Sequence, residues 1–134
     1  SIVASVDVKK NFWGKHKIYR HSNKKTVNLS PIEYIESLEK LGVGEILLYS
    51  VDRDGTWEGM DTELIQKVCQ KTHLPVISCG GVGKVEDIKD SIWSGSSGVA
   101  LGSMCVYSKK NMGVLIRFPK QNEIEKIIKN YESM

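Results

Sequence analysis

Residues 45–61 read EILLYSVDRDGTWEGMD, and the rest of the chain can be placed from them. Ile46-Leu47-Leu48-Tyr49 is an unbroken apolar run, the pattern of a parallel strand covered on both faces. It passes into a polar loop holding Asp52, Arg53, Asp54, Gly55, Glu58 and Gly59, after which Asp61 is placed to cap a helix. Polar loops are common on any surface, so the composition of this one assigns nothing alone. Its position does: the loop at the carboxyl end of a parallel strand is where α/β proteins put their chemistry.

The same unit recurs on either side. Upstream, residues 1–8 (SIVASVDV) form a β-branched strand ending at Asp7. The chain opens without a methionine and directly on this strand, which suggests a trimmed sequence. Residues 9–28 read as a long polar loop with a small hairpin around Lys17-Ile18-Tyr19. Ser30, Pro31 and Glu33 then spell a capping box, Ile32, Ile35, Leu38 and Leu41 follow at helical spacing, and Gly42 stops the helix. Downstream, Leu64, Ile65 and Val68 stripe a second helix. Residues 75–79 (PVISC) form a strand, Gly80-Gly81-Val82-Gly83 a tight loop, and residues 84–93 a helix ended by Gly95. A fourth strand, residues 98–101, leads to Gly102-Ser103. A long connection then runs to Phe118, and a last helix carries Ile124, Ile127, Ile128 and Tyr131.

Strand and helix alternate four times, which predicts an α/β fold with a parallel sheet, in one domain spanning residues 1–134. Right-handed crossovers bring the carboxyl ends of all four strands to one end of that sheet. Asp7, the 52–59 loop, Gly80-Gly81 and Gly102-Ser103 are thereby expected together.

Composition narrows the class. A formal charge of +3, from 19 basic and 16 acidic residues, is too mild for a nucleic-acid binder, and the basic run at residues 15–25 reads as a solvated loop. Cys69, Cys79 and Cys105 lack CxxC spacing, so reduced thiols and a cytoplasmic protein are expected. No Cys/His spacing suits a metal, no cofactor motif is present, and no apolar run suits a signal peptide or membrane span. Asn28-Leu29-Ser30 has the form of a glycosylation site, but Pro31 follows it and the cysteine usage opposes it.

Four features carry candidate chemistry. Gly80-Gly81 and Gly102-Ser103 follow adjacent strands and read either as tight turns or as a phosphate cradle with exposed backbone N–H groups. Asp7 reads as a general acid–base group or as a strand-end cap. Tyr49 and Trp57 suit either ligand stacking or the core. Cys79 reads as a packed thiol, having no histidine near it in sequence.

Asp7-Val8-Lys9, GEILLYSVDRDGTWEGMD, LPVISCGGVGK and VALGSM together resemble the cyclase subunit of imidazole glycerol phosphate synthase. The likeness covers nearly the whole chain but only the C-terminal half of that family's (β/α)8 barrel, units five to eight. It implies an enzyme that takes ammonia from a glutaminase partner to cleave and cyclise a phosphorylated ribulosyl-carboxamide nucleotide in histidine biosynthesis. It implies that Asp7 is one of two catalytic aspartates, the other lying in the first half. It places Asp54, Gly55, Gly80, Gly81, Gly102 and Ser103 around the distal phosphate, Tyr49 beside substrate, and Glu45 at the ammonia entrance on the opposite face.

Two departures stand out. Tyr49 occupies a position where the histidine-pathway enzymes usually carry a small hydroxyl residue, and residues 107–120 form a longer segment than theirs. Both features resemble a branch associated with surface-polysaccharide loci, whose barrel delivers ammonia for sugar amidation. A third reading is a non-catalytic half-barrel that self-associates. A four-stranded half-barrel leaves edges unpaired, so this chain alone is expected to form a homo-oligomer and to be inactive.

Overall fold

The computed structural model describes residues 1–133. In chain order the elements are β1 (Val3–Lys10), β2 (His16–Arg20), β3 (Lys25–Thr26), α1 (Pro31–Lys40), β4 (Glu45–Ser50), α2 (Thr62–Cys69), β5 (Val76–Cys79), α3 (Val85–Trp93), β6 (Gly98–Ala100), α4 (Ser103–Val106) and α5 (Gln121–Glu132). The strands form one sheet in the order β3-β2-β1-β4-β5-β6. β1, β4, β5 and β6 are parallel, as the alternating pattern predicts, and β2 and β3 add an antiparallel hairpin beyond β1.

The local signals explain the helix boundaries. Ser30 Oγ accepts from the Glu33 amide and the Glu33 carboxylate accepts from the Ser30 amide, so the capping box closes as its spacing predicts. Asp61 accepts from the Leu64 amide at 3.1 Å and starts α2. Asp87 is buried and accepts from the Gly83 and Lys84 amides, which fixes the turn into α3.

Register divides the sheet into two unlike faces. Ala4, Ile46 and Val76 align on one face, as do Val6, Leu48 and Ser78 in the next row. Val6, Leu48, Ile46 and Val76 are buried there together with Ile35 and Leu38 of α1, Leu64, Ile65 and Val68 of α2, and Ile88 of α3. The other face carries the rows Ser5–Leu47–Ile77–Gly98 and Asp7–Tyr49–Cys79–Ala100. Its residues are only partly covered, or exposed. Helices pack on one side alone, so the unbroken apolar run of β4 meets a core on one side and open space on the other.

Several expectations need correction. Asp7 does not close its strand, because β1 continues to Lys10 and pairs its last three residues with β2 through Val8–Ile18, Lys9–Lys17 and Lys10–His16. The long polar loop is thus largely a hairpin. Leu41, expected on the buried stripe of α1, is the C-cap residue and is exposed, because the chain leaves the helix axis there. On α5 only Ile127 is buried, whereas Ile128 and Tyr131 stay largely exposed. The connection after Ser103 also holds a short helix, α4, that its sequence did not signal.

His16 Nε2 and Asp61 Oδ2 meet at 2.8 Å and tie the hairpin to the N-terminus of α2. Burial alone would raise the Asp61 carboxyl. Hydrogen bonds from His16 and the Leu64 amide, with the nearby charges of His16 and Lys10, outweigh it and hold the group at about 2. A depressed carboxylate stabilises the fold above its unfolded value near pH 4, and that contribution disappears as pH falls toward 2; two pH units correspond to about 2.5 kcal/mol. Asp61→Ala removes both the cap and the partner of a half-buried imidazole. It should cost about 3 kcal/mol in urea unfolding at pH 7, and the deficit should shrink as the pH approaches 2. Equal stability of variant and parent at pH 7 would show that the pair contributes nothing.

Candidate active site

The parallel register assembles the site. Asp7, Tyr49 and Cys79 lie in one row on the open face, contributed by β1, β4 and β5. The 51–61 loop folds back over the row's carboxyl end. The Tyr49 hydroxyl donates to Asp54 Oδ2 at 2.7 Å. Burial pushes the Tyr49 phenol far above its ordinary value, and the Asp54 carboxylate pushes it further. Tyr49 is therefore a neutral donor that holds Asp54 in place. Burial also raises the Cys79 thiol, and the charges of Asp54 and Asp7 add to that. A thiol so placed is not an activated nucleophile.

Asp7 is held from two sides. Ser5 Oγ donates to its Oδ1 at 2.6 Å, and His21 Nε2 lies 2.8 Å from its Oδ2. His21 was not among the residues singled out from sequence. The hairpin explains its arrival: pairing Val8 with Ile18 lays the end of β2 back along β1, and His21 follows β2 directly. The sequence signal was the hairpin at residues 17–19, but without its register nothing connected His21 to Asp7.

The remaining loop carboxylates have structural partners. Asp52 accepts from the Lys10 amide at 2.6 Å and fastens the loop to the hairpin, while Glu58 lies 3.9 Å from Lys110 Nζ.

The four glycine positions separate into two kinds. A Cβ on Gly80 would lie 2.7 Å from the Ser50 carbonyl oxygen, and one on Gly81 would lie 2.3 Å from that of Gly59; both residues have positive φ. Their small size is required by packing against the 51–61 loop, and the Gly59 amide donates to the Gly81 carbonyl at 3.0 Å. By contrast, a Cβ on Gly55 or Gly102 meets nothing within 4 Å. Gly55 and Ser103 share a cavity of about 330 Å³ with Trp57, Tyr107, Lys110 and Met112. The structure thus brings Gly55 and Ser103 together, turns Asp54 toward Tyr49, and gives Gly80 and Gly81 a packing role. Glu45 begins β4, at the opposite end of the strand from the Asp7–Tyr49 row. Among the described residues no cluster of His, Cys, Asp and Glu suits a metal ion, and no helix is long and apolar enough to cross a membrane.

Comparison with known proteins shows the family. Residues 1–111 match the model of a family described as "Histidine biosynthesis protein". The chain belongs to that family. It is 40% identical over 126 residues to the Pseudomonas aeruginosa protein named "Putative imidazole glycerol phosphate synthase subunit hisF2", an alignment covering 93% of this chain and 50% of the relative. It is 39% identical over 103 residues to "Imidazole glycerol phosphate synthase subunit HisF" of Chlorobium limicola, covering 77% of this chain and 41% of that one. A Leptospira interrogans protein, "Putative imidazole glycerol phosphate synthase subunit HisF", is 35% identical over 127 residues, or 93% of this chain and 50% of its own length. The chain spans about half the length of the curated relatives it matches.

The family's barrel accounts for the two-faced sheet. The chain has the α/β architecture of a (β/α)4 half of a (β/α)8 TIM barrel, with helices outside and the Asp7–Tyr49–Cys79–Ala100 row facing inward. The Pseudomonas and Leptospira alignments extend over 126 and 127 residues, the Chlorobium one over 103. In this chain the tail folds back on α4, where the Leu115 amide donates to the Val106 carbonyl and the Arg117 amide to the Cys105 carbonyl.

Proposed function

We propose that this chain forms units five to eight of the cyclase subunit of imidazole glycerol phosphate synthase. The whole protein would use glutaminase-derived ammonia to cleave and cyclise a phosphorylated ribulosyl-carboxamide nucleotide. The observation that carries this reading is Asp7, held on the inward face of the sheet by Ser5 and His21 and aligned with Tyr49. A carboxylate fixed near the carboxyl end of the parallel part of a barrel strand suits acid–base work. The relatives' names support the cyclase over an ammonia-delivering subunit for sugar amidation or an inert half-barrel. The phosphate would be held near Gly55, Gly102 and Ser103. Glu45, at the far end of β4, would stand at the ammonia entrance beside the glutaminase. The test is direct: the full-length protein, supplied with ammonium and the nucleotide substrate, should release imidazole glycerol phosphate. No product at saturating ammonium would overturn the reading.

The sheet edges support an assembly proposal. β2 covers β1 only from Val8 to Lys10, so the outer edge of β1 over residues 3–7 faces no strand, and β6 ends the other side. In the whole protein the first half-barrel would pair with both edges. This 134-residue chain expressed alone should pair with a second copy instead, and it should be catalytically inactive. Light scattering should return at least a dimer mass; a monodisperse monomer would count against the half-barrel assignment.

A further inference from the structure

The cyclase reading uses Asp7, yet Asp7 is not the most accessible acid–base group in its own site. The His21 side chain is 58% exposed against 21% for Asp7. Its Nε2 is 2.8 Å from Asp7 Oδ2, and its ring is oriented by Tyr19, edge to face at 4.8 Å between centroids, and by Tyr49, stacked at 6.4 Å. Two aromatic neighbours and a carboxylate therefore fix an imidazole at the open face. A hydrolytic triad is excluded, because Ser5 bonds to Asp7 and the carboxylate stands between hydroxyl and imidazole.

We propose that His21 is a catalytic residue of this site, with Asp7 as its carboxylate partner, so that the pair exchanges protons with the ligand through the imidazole. The proposal rests on the cyclase reading above. The Asp7 carboxylate favours the tautomer with hydrogen on Nε2, which leaves Nδ1 as the basic nitrogen. When ammonia adds to the substrate carbonyl, a C–N bond forms and Nδ1 takes the excess proton from nitrogen. Asp7 stabilises the resulting imidazolium. Nδ1 returns that proton to the oxygen, which becomes a hydroxyl, and then carries a second proton from nitrogen to it, so that the C–O bond breaks with loss of water as the nitrogen lone pair forms the C=N bond. His21 ends neutral, and no other reactant is consumed.

The experiment compares full-length wild type, His21→Ala and His21→Gln in the ammonium-dependent assay, with and without added imidazole. Both variants should lose about 10²-fold in kcat with KM changed less than about threefold. Imidazole should restore at least about tenfold of the His21→Ala loss and leave Asp7→Asn unaffected. A purely structural histidine would give a loss that free imidazole does not recover. Wild-type kcat in His21→Ala, or loss without rescue while the wild type turns over, overturns the role of His21. An inactive wild type overturns the cyclase reading, and this proposal falls with it.

Discussion

Asp7→Asn in the full-length protein should lower the ammonia-dependent rate by about 10²–10⁴-fold while leaving substrate affinity nearly unchanged. Asn is isosteric with Asp, so the contact with Ser5 survives: the amide oxygen still accepts the hydrogen bond that Asp7 Oδ1 receives at 2.6 Å. What changes is the side facing His21. The position now 2.8 Å from Nε2 becomes an NH2 group, which donates rather than accepts and selects the opposite imidazole tautomer. The charge that stabilises an imidazolium also disappears. The proposed contacts to a phosphorylated ligand are in the loops after β4 and β6, so KM has little reason to move. Steady-state kinetics at saturating ammonium separate the two constants. Turnover near that of wild type would remove Asp7 from the mechanism and favour a barrel that only conducts ammonia.

Much of this architecture is legible in residue order because its determinants are local. Ser30-Pro31 with Glu33, Asp61 before Leu64, and the apolar run from Ile46 to Tyr49 each specify an element through groups three or four positions apart. The common end of the four parallel strands follows from alternation and crossover handedness. What residue order did not show is pairing register. The sequence pattern predicts a strand end at Asp7; the strand continues because Lys9 and Lys10 find partners in β2, a contact decided by the hairpin. His21 was missed for the same reason. Likewise Gly80 and Gly81 matched a phosphate-loop pattern, but whether a glycine faces a ligand or a neighbouring carbonyl depends on the 51–61 loop, packed from another unit. Short polar motifs identify the loops, and three-dimensional packing assigns their work.

The second large effect distinguishes those two kinds of glycine. Gly81→Val should unfold the protein or cost at least about 4 kcal/mol, because it combines a disfavoured backbone with overpacking. At φ +105° a side chain is strained whatever the space, and here its Cβ would sit 2.3 Å from the Gly59 carbonyl oxygen and 2.9 Å from its carbonyl carbon. Both atoms are backbone, so relief requires the 51–61 loop to move. That motion breaks the Gly59–Gly81 hydrogen bond and disturbs Asp54, which Tyr49 holds. Such a cost is a large share of the 5–15 kcal/mol that typically stabilises a domain. Loss of phosphate binding in Gly81→Val would therefore report unfolding rather than a missing contact. Gly102→Val is the informative counterpart: its φ of −122° lies outside the positive range that favours glycine, and a Cβ there meets nothing within 4 Å. Its unfolding free energy should stay within about 0.5 kcal/mol of wild type, whereas binding of inorganic phosphate, expected in the millimolar range from its few contacts, should weaken by about tenfold or more as the side chain occupies the space beside Ser103. Urea unfolding and calorimetric titration on the two full-length variants check both statements. A stable Gly81→Val protein would show that the 51–61 loop yields easily, and unchanged phosphate affinity in Gly102→Val would move the anion site away from β6.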